Sequence, residues 1–279
     1  MAASVYIRHY DSTWADLMAK QDRFPLQEYA NRTMLTTWTM SYEQVRSQSE
    51  AAANLLKLWA FLDCGELWYE LIASVSRLDL DMEAPSWLLR IAQNELEFFD
   101  AMWLLSLYSL VDAREETSSH SMHSVLHEWC SQLSGGNERT ALSRYAIRLI
   151  ASMVPSQSQA EYWKLQKRLL PHGSRAYRWT LNESWDQSDW ADNVGVQPWI
   201  LFNLGMLFAD QGKLGEAEEM YQRALKGSKK ALGPEHTSTL RTVNNLGLLY
   251  VDQGKLGEAE EMYQRALKGS EKALGREHK

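Results

Sequence analysis

A stretch of nineteen residues, DQGKLGEAEEMYQRALKGS, occurs twice in this chain without a single change, from Asp210 to Ser228 and again from Asp252 to Ser270. The second copy begins 42 residues after the first. A catalytic site needs a few unlike residues at one point, whereas one surface copied at a fixed period is typical of repeat arrays. The repetition therefore predicts an extended binding or scaffolding face, and a protein that is not an enzyme.

Apolar residues in and around the first copy recur at spacings that place them on one face of each of two helices. They are Leu201, Leu204 and Phe208 before the DQGK segment, and Leu214, Ala217, Tyr221, Ala224 and Leu225 after it. Gly212 supplies the turn between the helices, and Gly233 followed by Pro234 ends the second one. We expect an antiparallel helix pair, with Glu219 and Arg223 as an ion pair on its solvated side.

The same positions return one period later and form a repeat core. The core consists of Leu204, Gly205, Ala217, Tyr221 and Ala224 in the first repeat, and of Leu246, Gly247, Ala259, Tyr263 and Ala266 in the second. This order resembles the tetratricopeptide repeat, and the 42-residue period with its LGPEH linker is similar to the kinesin-light-chain variety. The resemblance implies a mainly α fold with an α-solenoid of two repeats over 197–279. The late position of Pro234 predicts a long second helix.

Three asparagines stand beside the repeated Leu-Gly pairs, at Asn203, Asn244 and Asn245. The first helices of such repeats build a concave groove, where amide side chains can donate to and accept from a peptide backbone. We therefore expect protein or peptide ligands in this groove, with self-association left open. Because two repeats are fewer than the roughly three that a solenoid needs, either the preceding helices cap the array or the chain is part of a longer product.

The first half reads as helices followed by a small hairpin. Leu55, Leu58, Trp59 and Leu62 form one apolar stripe. The segment from Glu95 to Leu107 is apolar on nearly all sides in its second half, which predicts the buried centre of the module. Apolar runs around AREETSS predict a hairpin of 109–111 against 120–122, leading into a helix at Val125. This order predicts a winged-helix-like domain over 25–135, with a small β-hairpin, and a helical linker over 136–196.

The segment SMHSVLHEW, with NRTMLTTWTMSYEQV and LLKLWAFLD, resembles the winged-helix segment that follows the nucleotide-binding (NB-ARC) domain in NLR-like receptors of filamentous fungi, members of the STAND class. Met122 and His123 stand where that class carries its Met-His-Asp motif, whose histidine reaches the β-phosphate of the bound nucleotide. Ser124 departs from the motif by replacing the aspartate. VYIRHYDSTWADLM resembles the end of the helical part of the nucleotide-binding module, which implies a remnant over 1–24, and EYWKLQKRLLPHGSRAYRW resembles the linker to the repeats.

Several site chemistries have no support in the sequence. The phosphate-binding loop G-x-x-x-x-G-K-[ST] is absent, since Gly212-Lys213 and Gly254-Lys255 are both followed by leucine. We therefore predict no ATP hydrolysis and no cofactor. His123 and His127 have the i, i+4 spacing of metal ligands, but no third ligand is evident, so both are interpreted as structural and no metal is expected.

Charge and composition exclude further classes. A net charge of -7 without a basic run argues against nucleic-acid binding. The two cysteines, Cys64 and Cys130, are too few for a disulfide framework and fit a reducing, cytoplasmic compartment. No window reaches the roughly 20 apolar residues of a membrane span.

These observations favour a non-catalytic protein-interaction and scaffolding module that resembles the sensor-side half of an NLR-like receptor in innate-immunity or self/non-self signal transduction. One alternative is the regulatory part of a nucleotide-driven switch, with the phosphate-binding loop on another segment or chain and His123 completing the phosphate site. A second alternative is a kinesin-light-chain-like cargo adaptor, which predicts a heptad coiled coil that the first half lacks.

Overall fold

The computed structural model describes residues 28–77, 84–182 and 197–277, and in these ranges the chain is mainly α-helical. Within them the α-helices are α1 (Glu28–Gln48), α2 (Glu50–Trp59), α3 (Tyr69–Ala73), α4 (Ser86–Gln93), α5 (Glu95–Leu107), α6 (Ser124–Cys130), α7 (Gly136–Met153), α8 (Tyr162–Asn182), α9 (Pro198–Asp210), α10 (Leu214–Leu232), α11 (Thr237–Asp252) and α12 (Leu256–Glu277). The strands are β1 (Asp112–Arg114) and β2 (Ser119–Ser121). The mainly α prediction is confirmed, and the predicted remnant over 1–24 lies outside the described residues.

Helix α2 lies at the centre of the first half. Its N-terminus is capped by Ser49, whose hydroxyl accepts a hydrogen bond from the Ala52 amide at 3.2 Å, which satisfies one of the amides that a helix start leaves unpaired. The predicted stripe of Leu55, Leu58 and Trp59 is fully buried. The Trp59 indole also donates to the Asp63 carbonyl at 2.8 Å, so the helix and the loop after it form one packed unit.

Helix α5 has the predicted bounds but not the predicted burial. Phe98 and Met102 are fully buried, whereas Trp103 is 66% exposed and Leu107 is 59% exposed. The prediction that this segment forms the buried centre of the module is therefore wrong for one of its faces. The second half of the helix is apolar on nearly all sides, but the elements that the structure describes cover only one side of it.

The hairpin exists, but it begins later than predicted. Strand β1 pairs antiparallel with β2 through Asp112 and Ser121, Ala113 and His120, and Arg114 and Ser119. The predicted first strand, 109–111, is instead a turn in which Ser109 has φ 55° and the Leu110 amide donates to the Leu105 carbonyl at 3.0 Å. Leu110 and Val111 are buried where the chain leaves α5. Their apolar character therefore reflects core packing and not strand pairing, which explains the misplaced strand. The helix predicted at Val125 is α6.

The linker helices α7 and α8 lie between the first half and the repeats. The α8 residue His172 is buried, and its Nδ1 accepts a hydrogen bond from the Asp63 amide at 3.0 Å. One turn earlier, Arg168 pairs with Glu66 at 2.7 Å and stacks over the Trp68 ring at 4.1 Å from its centroid. These contacts fix α8 against the loop between α2 and α3.

The four C-terminal helices form two antiparallel pairs, α9 with α10 and α11 with α12. The turns between paired helices contain Gly212 with φ 71° and Gly254 with φ 75°, a backbone conformation that favours glycine. Helix α10 ends at Gly233, as predicted, after 19 residues. Successive pairs pack side by side, and α7 and α8 lie against α9, the first helix of the array. The preceding helices therefore cover one end of the array.

Candidate functional site

The repeat core holds the paired helices close together. Among the predicted core residues, Leu204, Ala217 and Ala224 of the first repeat are fully buried. Gly205 is buried against Tyr221, and a Cβ added to this glycine would come 2.7 Å from the tyrosine Cδ1. The two helices can therefore approach closely only because position 205 has no side chain.

The second repeat has the same contact between Gly247 and Tyr263, where an added Cβ would come 2.8 Å from Cε1. Leu246 and Ala259 are buried as in the first repeat. Tyr263 and Ala266, in contrast, are only half-buried, whereas their counterparts in the first repeat are buried. The difference arises because α11 lies against the first copy, and no described residue lies in the same place against the second.

The structure separates the three predicted groove asparagines. Asn203 faces the linker helices, and its side-chain amide donates to the Ala151 carbonyl of α7 at 3.0 Å. Asn245, one period later, is half-buried, and the adjacent Asn244 is exposed. Asn244 is the one that lines an open groove at the outer end of the array.

This groove, which we call the end groove, encloses about 600 Å³ between α11 and α12. It is lined by Thr237, Leu240, Arg241, Asn244, Tyr263, Ala266, Leu267, Ser270 and Ala273. Its walls are mainly apolar, and Arg241 and Asn244 add charged and amide groups. The Arg241 guanidinium carbon lies 4.4 Å from the centroid of the Phe202 ring, so a cation–π contact positions the end of this side chain.

A second, shallower depression continues the end groove along α12. It is lined by Val251, Leu256, Ala259, Glu260, Tyr263, Gln264 and Leu267. Tyr263 and Leu267 belong to both depressions, so the two form one continuous surface. Leu256 and Leu267 are 66% and 60% exposed on it, so this surface carries an exposed apolar patch. The sequence pattern did not predict Arg241, Leu256 or Leu267 as part of a binding surface.

The Glu219–Arg223 pair does more than occupy a solvated helix face, which corrects the sequence interpretation. The two charged groups lie 3.6 Å apart, and both also bind α8. The Tyr177 hydroxyl donates to the Glu219 carboxylate at 2.7 Å, and Arg223 donates to the Thr180 hydroxyl at 3.2 Å. Burial of the phenol and its hydrogen bond to Glu219 raise the pKa of Tyr177 to about 12. The pair therefore anchors the linker helix to the first repeat.

Glu218, one residue earlier, faces the other way, towards α11. Its carboxylate accepts from Gln253 at 2.9 Å and from Lys255 at 3.0 Å. Burial alone would raise the pKa of Glu218, but these hydrogen bonds stabilise the carboxylate more strongly and hold the pKa below its ordinary value. This carboxylate is thus a polar contact between successive repeats.

The motif residues of the first half lie at the start of α6. Met122 is buried, with its sulfur 3.9 Å from the Cys130 sulfur. His123 caps the helix, because its Nδ1 accepts from the Val125 amide at 3.3 Å, and its ring is exposed. His127 points inward instead, and its Nε2 donates to the Trp59 carbonyl at 3.0 Å. The two histidines therefore do not share a face as metal ligands would.

The described residues contain neither a metal-binding cluster nor a membrane-spanning helix. No group of three His, Cys, Asp or Glu side chains in 28–77, 84–182 and 197–277 is arranged to hold a metal ion. In the same part of the chain, no helix is both long enough and apolar enough to cross a membrane.

Comparison with known proteins identifies the repeats. Residues 197–272 match the family described as tetratricopeptide repeat, so this region is a tetratricopeptide-repeat region, which implies a protein-interaction scaffold. No curated protein matches the chain. Among solved structures, the crystal structure of BtubC (BKLC) from P. vanneervenii is similar at 18% identity, over 86% of this chain and 74% of that chain, with a TM-score of 0.37.

Proposed function

We propose that this chain is a non-catalytic scaffold that binds a protein segment in the end groove. The observation that carries the proposal is the exposure of Asn244 and Arg241 beside the apolar wall of Leu240, Tyr263 and Leu267. An apolar cleft with a few polar groups that fix orientation is the usual form of a binding site. The amide of Asn244 can donate and accept, and Arg241 supplies guanidinium donors for carbonyl or carboxylate oxygens.

Of the three asparagines predicted for a peptide groove, we assign the main contact to Asn244. Asn245 lies next to it and is half-buried, so we give it a supporting place in the wall. Asn203 already donates to the Ala151 carbonyl, and we assign it to the junction of α7 with the first repeat rather than to ligand binding.

A peptide-array screen tests the proposal. Peptides that bind the full chain are expected to lose most of their binding to Asn244→Ala and Arg241→Ala, because both variants remove polar contacts from the groove. Asn203→Ala serves as the control and is expected to retain binding. If the peptides that bind the unaltered chain bind Asn244→Ala and Arg241→Ala equally well, the end groove is not the site.

We further propose that the chain is the sensor-side half of an NLR-like receptor, with a winged-helix-like domain over 25–135, a linker over 136–196 and the repeats over 197–279. The hairpin after α2 to α5 supports this arrangement, as does the bridge between Leu67 and His120, which adds a third short stretch of extended backbone beside β2. Sequencing the complete transcript tests this context. Upstream codons for a phosphate-binding loop would support it, and a transcript without one would contradict it.

A second candidate, the regulatory part of a nucleotide-driven switch, is favoured by the exposed ring of His123. Its Nδ1 accepts from Val125, which leaves Nε2 directed away from the helix start. Titration of labelled ADP onto the chain mixed with a nucleotide-binding partner domain tests this function. Equal ADP affinity for His123→Ala and the unaltered chain would exclude a phosphate contact by this residue.

A further inference from the structure

The duplicated nineteen residues have two different environments in one molecule. Leu225 of the first copy is 9% exposed, whereas Leu267, its counterpart in the second copy, is 60% exposed. Leu214 is half-buried, and its counterpart Leu256 is 66% exposed. Because the sequences are identical, the difference comes entirely from what packs against each copy. The surroundings of the first copy therefore show which groups can cover the same face of the second copy.

The first copy is covered by α11, which runs antiparallel to α10. Near the start of α10, Gln253 donates to the Leu214 carbonyl at 3.3 Å and to the Glu218 carboxylate at 2.9 Å. Lys255 pairs with the same carboxylate at 3.0 Å. The contact thus combines an apolar helix face with an amide and an ammonium group just after the C-terminus of the covering helix.

The second copy presents the same groups without such a cover among the described residues. Glu260 and Gln264 occupy the places of Glu218 and Gln222, and both are exposed. Within each copy the glutamine donates to the glutamate in the same way, at 2.9 Å in the first and 3.0 Å in the second. The surface of α12 is therefore already shaped like the surface of α10 that receives α11.

We propose that the exposed face of α12 binds an amphipathic helix of the α11 type on a protein partner. The partner helix lies antiparallel to α12, covers Leu256, Tyr263 and Leu267, and places an amide and an ammonium group on Glu260. This inference rests on the proposed binding function and specifies its ligand as a helix rather than an extended segment. A second copy of the chain does not offer this helix, because its own α11 is buried against its own α10.

A peptide with the sequence of Thr237–Lys255 is the probe. A lactam bridge between the positions of Asn244 and Leu248, one helical turn apart and both exposed in α11, holds it helical without altering the face that meets α10. Circular dichroism confirms the helix before titration. The full chain is expected to bind this peptide, and a peptide with Val243→Asp, which places a charge on a buried position of α11, is expected not to bind.

Variants of the full chain locate the contact. Leu267→Asp is expected to weaken binding by about tenfold or more, because it places a carboxylate in the centre of the apolar face. Leu96→Asp alters another exposed leucine, on α5, and is the matched control. Glu260→Lys is expected to weaken binding by about threefold to fivefold, the range of one exposed ion pair, and a peptide with Lys255→Glu is expected to restore it.

The remaining outcomes distinguish failure of the helix inference from failure of the proposed groove contact. If the bridged peptide does not bind, while peptides from the array bind in a manner that depends on Asn244, the end groove takes an extended segment and only the helix inference fails. If the helix binds with the stated dependence on Leu267 and Glu260 but no array peptide depends on Asn244, the proposed groove contact fails and the helix inference stands. If the chain sediments as a dimer that Leu267→Asp converts to a monomer, the face belongs to a second copy.

Discussion

The ring of Tyr221 lies where a side chain on Gly205 would stand, since an added Cβ would come 2.7 Å from Cδ1 and 2.8 Å from Cε1 of the tyrosine. The same relationship joins Gly247 to Tyr263. The two tyrosines differ in their freedom to move, because Tyr221 is 3% exposed and Tyr263 is half-buried. This difference leads to the first prediction.

Gly205→Ala is expected to lower the free energy of unfolding by about 1–3 kcal/mol, as overpacking of a buried contact does. Gly247→Ala is expected to lower the free energy of unfolding by a smaller amount, because the ring of Tyr263 can shift towards the open side of α12. Urea unfolding followed by circular dichroism measures both. Gly215→Ala, at a helical glycine with nothing within 4 Å of an added Cβ, is the control and is expected to leave stability unchanged or raise it slightly. Equal losses for Gly205→Ala and Gly247→Ala would contradict the explanation.

Leu225→Ala and Leu267→Ala form a matched pair, because the surrounding sequence is identical. Leu225→Ala is expected to cost about 2–5 kcal/mol of unfolding free energy, since it opens a cavity in a packed interface. Leu267→Ala is expected to change this free energy by no more than about 0.5 kcal/mol, as exposed substitutions do. Denaturant midpoints and slopes for the two variants provide the measurement. A comparable loss for Leu267→Ala would indicate that α12 is covered in solution.

Asn203→Ala and Asn244→Ala are expected to act on different properties. Loss of the hydrogen bond from Asn203 to the Ala151 carbonyl is expected to cost about 1 kcal/mol of stability with ligand affinity unchanged. Asn244→Ala is expected to leave stability unchanged and to weaken ligand binding. Thermal melting together with a binding titration separates the two effects. The reverse result, with binding lost in Asn203→Ala alone, would place the ligand at the junction of α7 and α9.

Stability is expected to fall as the pH drops below 6.5. Burial lowers the pKa of His127 and that of His172 to about 4 in the folded chain. The unfolded chain therefore takes up protons below pH 6.5 that the folded chain does not, so the stability present above pH 6.5 is lost progressively towards pH 4. By linkage, the unfolding free energy falls by on the order of 3 kcal/mol per histidine.

Urea unfolding at several pH values between 7 and 4.5 measures this loss. His172→Asn keeps an acceptor for the Asp63 amide and removes the titrating group, so its stability is expected to depend less on pH. His123→Asn, at an exposed position, is the control and is expected to retain the full dependence. If neither His172→Asn nor His127→Asn reduces the pH dependence of the unfolding free energy, these two histidines are not its source.

The repeats could be predicted from the sequence because their signals are local. The apolar spacing, the glycine of the DQGK turn and the glycine that ends α10 each act within a few residues. The hairpin was misplaced because its strands lack the alternating pattern of a half-buried strand. All three residues of β1 are exposed, and the apolar Leu110 and Val111 beside it are buried for a different reason.

The remaining features depend on contacts between residues far apart in the sequence. Asn203 and Asn245 have the same Leu-Gly context, yet only Asn203 meets the carbonyl of Ala151, which is 52 residues away. Trp103 and Phe98 lie on one apolar helix, and their different exposure depends on which elements pack against it. The sequence of the repeats also gives no sign that identical leucines differ in burial, because that difference depends on whether a following helix is present.

Helix α8 joins the two parts of the molecule in a way that has a mechanical consequence. It has 21 residues, about 31 Å at 1.5 Å per residue, and contains Pro171 in its interior. One section is tied to the loop after α2 through His172, and a later section is tied to α10 through Tyr177. Because these two attachments are five residues apart, a displacement of α10 reaches the loop after α2 through less than two turns of helix.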